Sequence, residues 1–320
     1  MACLLVAIGT SISAFWILAL NSWMQTPTGF EMIDGRAHVI SWMAVIFNPS
    51  MPYRLIHMLI ASGLTTSFLI AGVSAYRWLR GDHGSDVRMA LRTGVVLAAV
   101  LIPTQIMVGD AHGLNTLEHQ PAKIAAIEAV WTREASVPLL LFAMPNEAEK
   151  RNDYALSVPY GASLILTHSL DGELPGLDEF PEGHPPVAPV FWSFRIMVGM
   201  GMLMLAVAWG WAFLLWRRKD NYPRLALQGL VAMTFSGWVA TLAGWYVTEI
   251  GRQPWLVTNV LLTKDAVGAV PAATIFGSLI MYLLMYAFLM AAYVSVVFYL
   301  AQKAQHGDDH DDNSIATGGH

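Results

Sequence analysis

The chain is poor in charge and nearly without cysteine. Lys, Arg, Asp and Glu make up 13% of its 320 residues, and the one cysteine is Cys3. A single thiol excludes an intramolecular disulfide and a cysteine zinc cage. The low charge argues against a soluble domain, in which about 25% of residues are charged. The formal charge is −5 and no Lys/Arg run is long enough to track phosphates, so nucleic acid is not an expected partner. No His-Glu-x-x-His occurs, which leaves zinc hydrolysis unsupported. What is abundant is apolar: 55% of the chain, with 12 Trp and 17 Met, alongside 10 His. That mixture suits a cofactor buried in a membrane, although Met and Trp are also ordinary packing residues.

A helix of about 20 apolar residues spans a bilayer. Six stretches qualify: 2–24, 55–79, 90–108, 190–216, 225–248 and 273–301. The expected fold is therefore all-α, a polytopic transmembrane bundle with six spans and one long outer loop. Its expected divisions are 1–108 (three membrane helices), 109–189 (the loop), 190–301 (three more helices) and a disordered cytoplasmic tail, 302–320. Arg77, Arg80, Arg88 and Arg92 bracket one short link, and Arg217, Arg218, Lys219 and Arg224 lie in another. The bias of basic residues puts these links on the cytoplasmic side and 25–54, 109–189 and 249–272 outside. Trp23, Trp42, Trp192 and Trp255 then form an outer aromatic belt. The first span has no basic leader of the signal-peptide kind, and residues upstream of it are expected. In the loop, Pro121 followed by Ala and Ile predicts a short helix with Pro in its first turn. Lys123 and Glu128 on that helix are not ideal i,i+4 partners.

Ionisable residues at the edge of a membrane span are functional candidates. His57 opens the second span, Arg195 and Met197 lie in the fourth, and Glu249 closes the fifth, ahead of Arg252. At 1.5 Å per residue, all fall within roughly 10 Å of the outer boundary. Each has an ordinary alternative. A lone interfacial His is more often structural, a Met in an apolar helix is usually packing, Arg195 can snorkel, and Glu249 and Arg252 can simply pair at i,i+3. Taken as a set they point to haem, because iron in an electron-transfer cytochrome takes a His nitrogen and a Met sulfur. Arg195 would bring charge to such a haem, and Glu249 could ligate a second iron. Haem c is excluded, since Cys-x-x-Cys-His is absent.

The same stretches resemble subunit I of cytochrome bd-type quinol oxidases. The matching motifs are Gly-Thr-Ser-Ile-Ser-Ala-Phe-Trp-Ile at 9–17, Asn21-Ser22-Trp23-Met24-Gln25 and the helix around His57. Further on are Gly109-Asp110, Lys123 with Glu128, Phe-Arg-Ile-Met-Val-Gly at 194–199 and Gly-Arg-Gln-Pro-Trp at 251–255. Together they cover about residues 4–300, and Arg-x-Met followed by Gly-Arg-Gln-Pro-Trp is the most specific pair. Gly-Asp-x-His-Gly and Thr-Leu-Glu-His-Gln-Pro-Ala-Lys-Ile-Ala-Ala in the loop look like the short-loop, cyanide-insensitive branch.

The resemblance implies a quinol:oxygen oxidoreductase that works as part of a complex in the bacterial plasma membrane, with its quinol loop on the extracytoplasmic side. It implies that His57 and Met197 ligate a low-spin haem b with Arg195 beside it, and that Glu249 ligates a high-spin haem b. Trp245 would lie between haems and Arg252 would hold propionate or carboxylate charge. Lys123 and Glu128 match the family's quinol-site pair, with Glu128 as the base; a surface helix would explain these two equally well. The implied partners are quinol, dioxygen and subunit II. Family members have nine spans, so three N-terminal spans are expected to be missing here, and with them the ligand of haem d or a third haem and the carboxylates of the proton path. Two other readings compete: a haem b electron carrier that reduces no oxygen, and a haem-free transporter, which the lack of evident inverted repeats disfavours.

Overall fold

The computed structural model describes residues 1–180, 183–218 and 220–316, with side chains to 303. The helices are α1 (Ala2–Gln25), α2 (Trp42–Ile46), α3 (Met51–Leu79), α4 (Ser85–His119), α5 (Pro121–Glu128), α6 (Gly161–Thr167), α7 (Val187–Arg217), α8 (Arg224–Ala232), α9 (Ser236–Ile250) and α10 (Ala272–Ala316). Short antiparallel pairs join them: β1 (Phe30–Ile33) with β2 (Arg36–Val39), β3 (Glu134–Ala135) with β6 (Glu173–Leu174), β4 (Leu139–Asn146) with β5 (Arg151–Val158), and β7 (Trp255–Val257) with β8 (Leu261–Leu262). Among the described residues, six helical stretches are long and apolar enough to cross a membrane: Ala2–Gln25, Met51–Leu79, Ser85–His119, Val187–Arg217, Arg224–Ile250 and Ala272–Lys303. The six spans read from the sequence are thus present, each extended at one or both ends. Lys219 of the basic link and residues 317–320 of the expected tail lie outside the described residues.

Contacts divide the chain into two compact units. The first comprises Met1–Gly63, Val100–Leu203 and Gly237–Ala266, and it contains every candidate site residue. Its core gathers Ile124 to Val130 of α5 and its C-cap, Leu140 and Ala143 of β4, Val187, Val190 and Phe191 of α7, and Val247 of α9. The loop 109–189 is therefore a packed structure. Helix α5 begins with Pro121 at its first turn, where the missing N–H costs nothing. It ends at Ala129, which adopts a left-handed conformation (φ 52°) while Val130 N–H returns to Ala125 O at 2.9 Å. Asn152 of β5 secures that turn: its Nδ2 donates to Ala129 O at 2.9 Å, and its Oδ1 accepts from Trp131 Nε1 at 3.1 Å.

The second unit comprises Leu64–Ala99, Met204–Ser236 and the segment from Val267 onward. Its core joins Ala71, Ala75 and Trp78 of α3 to Val87, Leu91 and Val95 of α4, Trp211 of α7, Tyr222, and Leu227 and Leu230 of α8. Small residues permit close helix approach here. A Cβ at Gly94 would come within 2.8 Å of Ala71 N, and one at Gly72 within 2.1 Å of Thr234 Oγ1. Helix α4 carries Pro103, which has no N–H to offer the carbonyl of Ala99. Trp209 Nε1 donates to that carbonyl at 3.0 Å, so the orphaned acceptor is satisfied. The break between α8 and α9 is stabilised in a similar way, with Thr234 Oγ1 donating to Val231 O at 2.6 Å and Ser236 Oγ to Met233 O at 2.7 Å.

Candidate functional site

The first unit brings together a set of polar and charged side chains from six helices. Lys123 and Glu128 are 3% and 4% exposed, so α5 is not a surface helix. Five residues apart on a helix means about 140° of rotation, and the two side chains have different partners. Lys123 Nζ donates to Gln25 Oε1 at 2.6 Å and to Gln120 Oε1 at 2.9 Å. Its stem crosses Gly251, where a Cβ would come 3.0 Å from Lys123 Cγ. That contact is a reason for glycine at the head of the Gly-Arg-Gln-Pro-Trp motif. Burial and the neighbouring Arg54 and Arg252 hold the Lys123 amine well below the usual lysine range; Glu249 opposes them only in part.

Glu128 pairs with Arg195, whose Nη2 donates to Oε2 at 2.8 Å. Arg195 uses its remaining donors on backbone. Nε reaches Leu140 O at 2.9 Å, Nη1 reaches Ile127 O, and the guanidinium lies 3.9 Å from the Phe191 ring centroid. Arg195, expected beside a haem, is thus the clasp between α7 and the loop. Burial raises the Glu128 carboxyl above the ordinary carboxylate range, and the Arg195 charge offsets only part of that rise.

Glu249 is held at both oxygens. Asn21 Nδ2 donates to Oε1 at 2.6 Å and Arg252 Nη2 to Oε2 at 2.6 Å. The i,i+3 pairing anticipated for Glu249 and Arg252 is therefore present. Trp245, one helical turn before Glu249, is exposed. His57 and Met197 both sit against glycines. A Cβ at Gly109 would lie 3.4 Å from His57 Cε1, and one at Gly244 would lie 2.8 Å from Met197 Sδ. His112 of α4 meets His57 edge-on, with ring centroids 5.7 Å apart.

The donor set fits a haem in two respects. Among the described residues, His57 Nδ1, His112 Nε2, Arg54 Nε, and Arg252 Nε and Nη1 are buried without a hydrogen-bond partner. Buried N–H groups without acceptors are costly, and two guanidiniums of this kind suit the two propionates of a haem. An imidazole and a thioether, each against a glycine that leaves room, supply the two ligand types of a closed electron-transfer iron. Sequence reasoning missed Arg54 and His112. Arg54 was legible as a cation one turn before His57 in an apolar helix, and His112 as the His of Gly-Asp-Ala-His-Gly.

The fold and this site define an all-α, multi-pass membrane protein with a buried, cation-rich site near one end of its spans. The sequence model of the family described as "Cytochrome bd terminal oxidase subunit I" matches residues 1–305, and the chain belongs to that family. It is 31% identical over 325 residues to the cytochrome bd ubiquinol oxidase subunit 1 of Bacillus subtilis (strain 168), covering 98% of this chain and 69% of the relative. It is 30% identical over 368 residues to the cytochrome bd-II ubiquinol oxidase subunit 1 of Escherichia coli (strain K12), covering 93% and 71%. Among solved structures it is similar to the bd oxidase from Geobacillus thermodenitrificans, with a TM-score of 0.85 at 32% identity, over 93% of this chain and 68% of that one. Membership makes the chain a bacterial multi-pass membrane protein and a subunit I of a haem-containing terminal oxidase.

Proposed function

We propose that the chain oxidises quinol at its buried outer loop and carries two b haems, a low-spin one ligated by His57 and Met197 and a high-spin one ligated by Glu249. One observation carries the haem reading. Arg54 and Arg252 are at most 8% exposed, and both keep unpaired N–H groups. Among the described residues, Glu249 is the one carboxylate whose charge acts on Arg54. Buried cations persist only when paired, and haem propionates would pair them. When bound, the haems would supply one-electron acceptors, which quinol needs because it gives up two electrons with two protons.

The chain's own residues do the proton work. Burial makes Glu128 a better proton acceptor than an exposed glutamate, and burial also favours the uncharged amine of Lys123. Both groups sit in a loop that the bias of basic residues puts on the extracytoplasmic side, so protons taken from quinol would leave outward. Arg195 supports this arrangement by fixing α5 to α7; Trp245 would lie between the haems and Arg252 would neutralise a propionate. The divisions 1–108, 109–189, 190–301 and 302–320 serve as the first three membrane helices, the quinol loop, the last three membrane helices and the tail. Ubiquinol is named for two of the relatives, and the quinol class is the substrate proposed here. Dioxygen is reduced, in this reading, at a third haem to which no residue of this chain is assigned, in a complex completed by a second membrane subunit.

The test uses the assembled oxidase purified from membranes. His57→Ala and Met197→Ala are each expected to remove the low-spin b spectrum. Lys123→Met and Glu128→Gln are expected to keep that spectrum and slow quinol oxidation. Unchanged spectra in both ligand variants would overturn the haem assignment.

A further inference from the structure

We propose that Gln25 is a positioning residue for quinol oxidation, one that orients the Lys123 amine toward a hydroxyl of the substrate. The proposal rests on the reading of Lys123 as part of the quinol site.

Gln25 is the last residue of α1 and is completely buried. Its Oε1 accepts from Lys123 Nζ at 2.6 Å and from Gln120 Nε2 at 2.9 Å, and its Nε2 donates to Thr248 O at 3.3 Å. Gln120 closes the figure, because its Oε1 accepts a second bond from Lys123 Nζ at 2.9 Å. Three side chains thus form a ring of hydrogen bonds, anchored through Thr248 to the end of α9.

The chemistry of that ring depends on the charge of Lys123. An ammonium has three N–H bonds and no lone pair; an uncharged amine has two N–H bonds and one lone pair. The two glutamine oxygens match the two hydrogens of the amine. With both hydrogens committed, tetrahedral geometry directs the lone pair away from the glutamines. The groups facing Lys123 favour this form. Burial favours it most, the charges of Arg54 from α3 and Arg252 just after α9 add to the effect, and Glu249 is the acidic group that opposes them. The aliphatic stem is fixed as well, since it lies over the bare backbone of Gly251. In the step this geometry serves, a quinol O–H bond breaks, the proton joins the Lys123 lone pair to give the ammonium, and the substrate oxygen keeps the bonding electrons as a phenolate. Gln25 touches neither the substrate nor the proton; it decides where the lone pair points.

Three variants test this in the assembled oxidase with a short-chain quinol. Gln25→Leu removes an acceptor from the amine and is expected to lower kcat/KM by about tenfold to a hundredfold, with haem spectra like those of the parent. Gln25→Glu is nearly isosteric and puts a carboxylate beside Lys123. It stabilises the ammonium, so the acidic limb of the pH–rate profile, where activity rises as the amine loses its proton, is expected to move to higher pH. A merely structural glutamine would not move that limb. Parent-like kinetics in Gln25→Leu, or an unmoved limb in Gln25→Glu, would overturn the inference if Lys123→Met still depresses kcat/KM. Parent-like kinetics in Lys123→Met would overturn instead the reading on which the inference stands.

Discussion

Replacing Arg195 by Met should release the loop from the membrane helices, and the size of the effect follows from what the guanidinium holds. Arg195 pairs with Glu128 at 2.8 Å and donates to the carbonyls of Leu140 and Ile127. With the arginine gone, Glu128 is left as a buried carboxylate without a cation. Breaking such a pair costs about 3–5 kcal/mol. At about 1.4 kcal/mol per factor of ten, this raises the population of the locally open loop by roughly two to three and a half powers of ten. Hydrogen–deuterium exchange of peptides covering 121–146 reads that population directly. The cost also depends on pH. The Glu128 carboxyl is already raised in the folded protein, and losing Arg195 raises it further. A raised group supports the folded state at low pH and ceases to do so as pH rises through its folded value, so the loss of protection should be larger at pH 8 than at pH 5. Glu128→Gln added to Arg195→Met removes the stranded charge and should restore much of the protection. Less than a tenfold change in the single variant, or a double variant as deprotected as the single, would refute the clasp.

Two further substitutions probe the proposed ligand positions. Gly244→Ala puts a methyl 2.8 Å from Met197 Sδ, whereas Gly199→Ala meets open space; the first should shift or weaken the low-spin haem band and the second should leave it unchanged. Glu249→Gln removes the carboxylate paired with Arg252 at 2.6 Å, so the high-spin haem signal should fall and thermal stability of the complex should drop, as expected when one partner of a partly buried ion pair is removed. A full high-spin signal in this variant would disprove Glu249 as the ligand.

The spans were legible because the bilayer requires it: a stretch of apolar residues long enough to cross can satisfy its backbone only as a helix. The extensions of α4 to His119 and α3 back to Met51 were less legible, since polar residues such as Asp110, Asn115 and Arg54 interrupt the apolar pattern while the helix continues. The helix after Pro121 was readable from its own first turn, but its burial was not. Nothing in Pro-Ala-Lys-Ile-Ala-Ala-Ile-Glu distinguishes a surface helix from a core one, because the hairpin and α7 residues that cover it lie elsewhere in the chain.

The candidate site divides in the same way. The i,i+3 pairing of Glu249 with Arg252 is a local property of a helix end, and the sequence sufficed for it. The partner of Glu128 was not local. Sequence spacing invited a comparison with Lys123, yet helical rotation separates the two, and Arg195, far along the chain, takes the carboxylate. Asn21 and Gln25 could be recognised as part of a motif, but their work depends on the end of α1 meeting α5 and α9.

By itself, then, the sequence determined that this chain is helical, with six stretches apolar and long enough to cross a membrane, and which few ionisable residues lie at their ends, because hydropathy and short-range helix geometry are written along the chain. Only the tertiary structure decided which of those residues pair, which keep free donors and which glutamines bond Lys123, because each of those outcomes depends on contacts between elements that the sequence does not display.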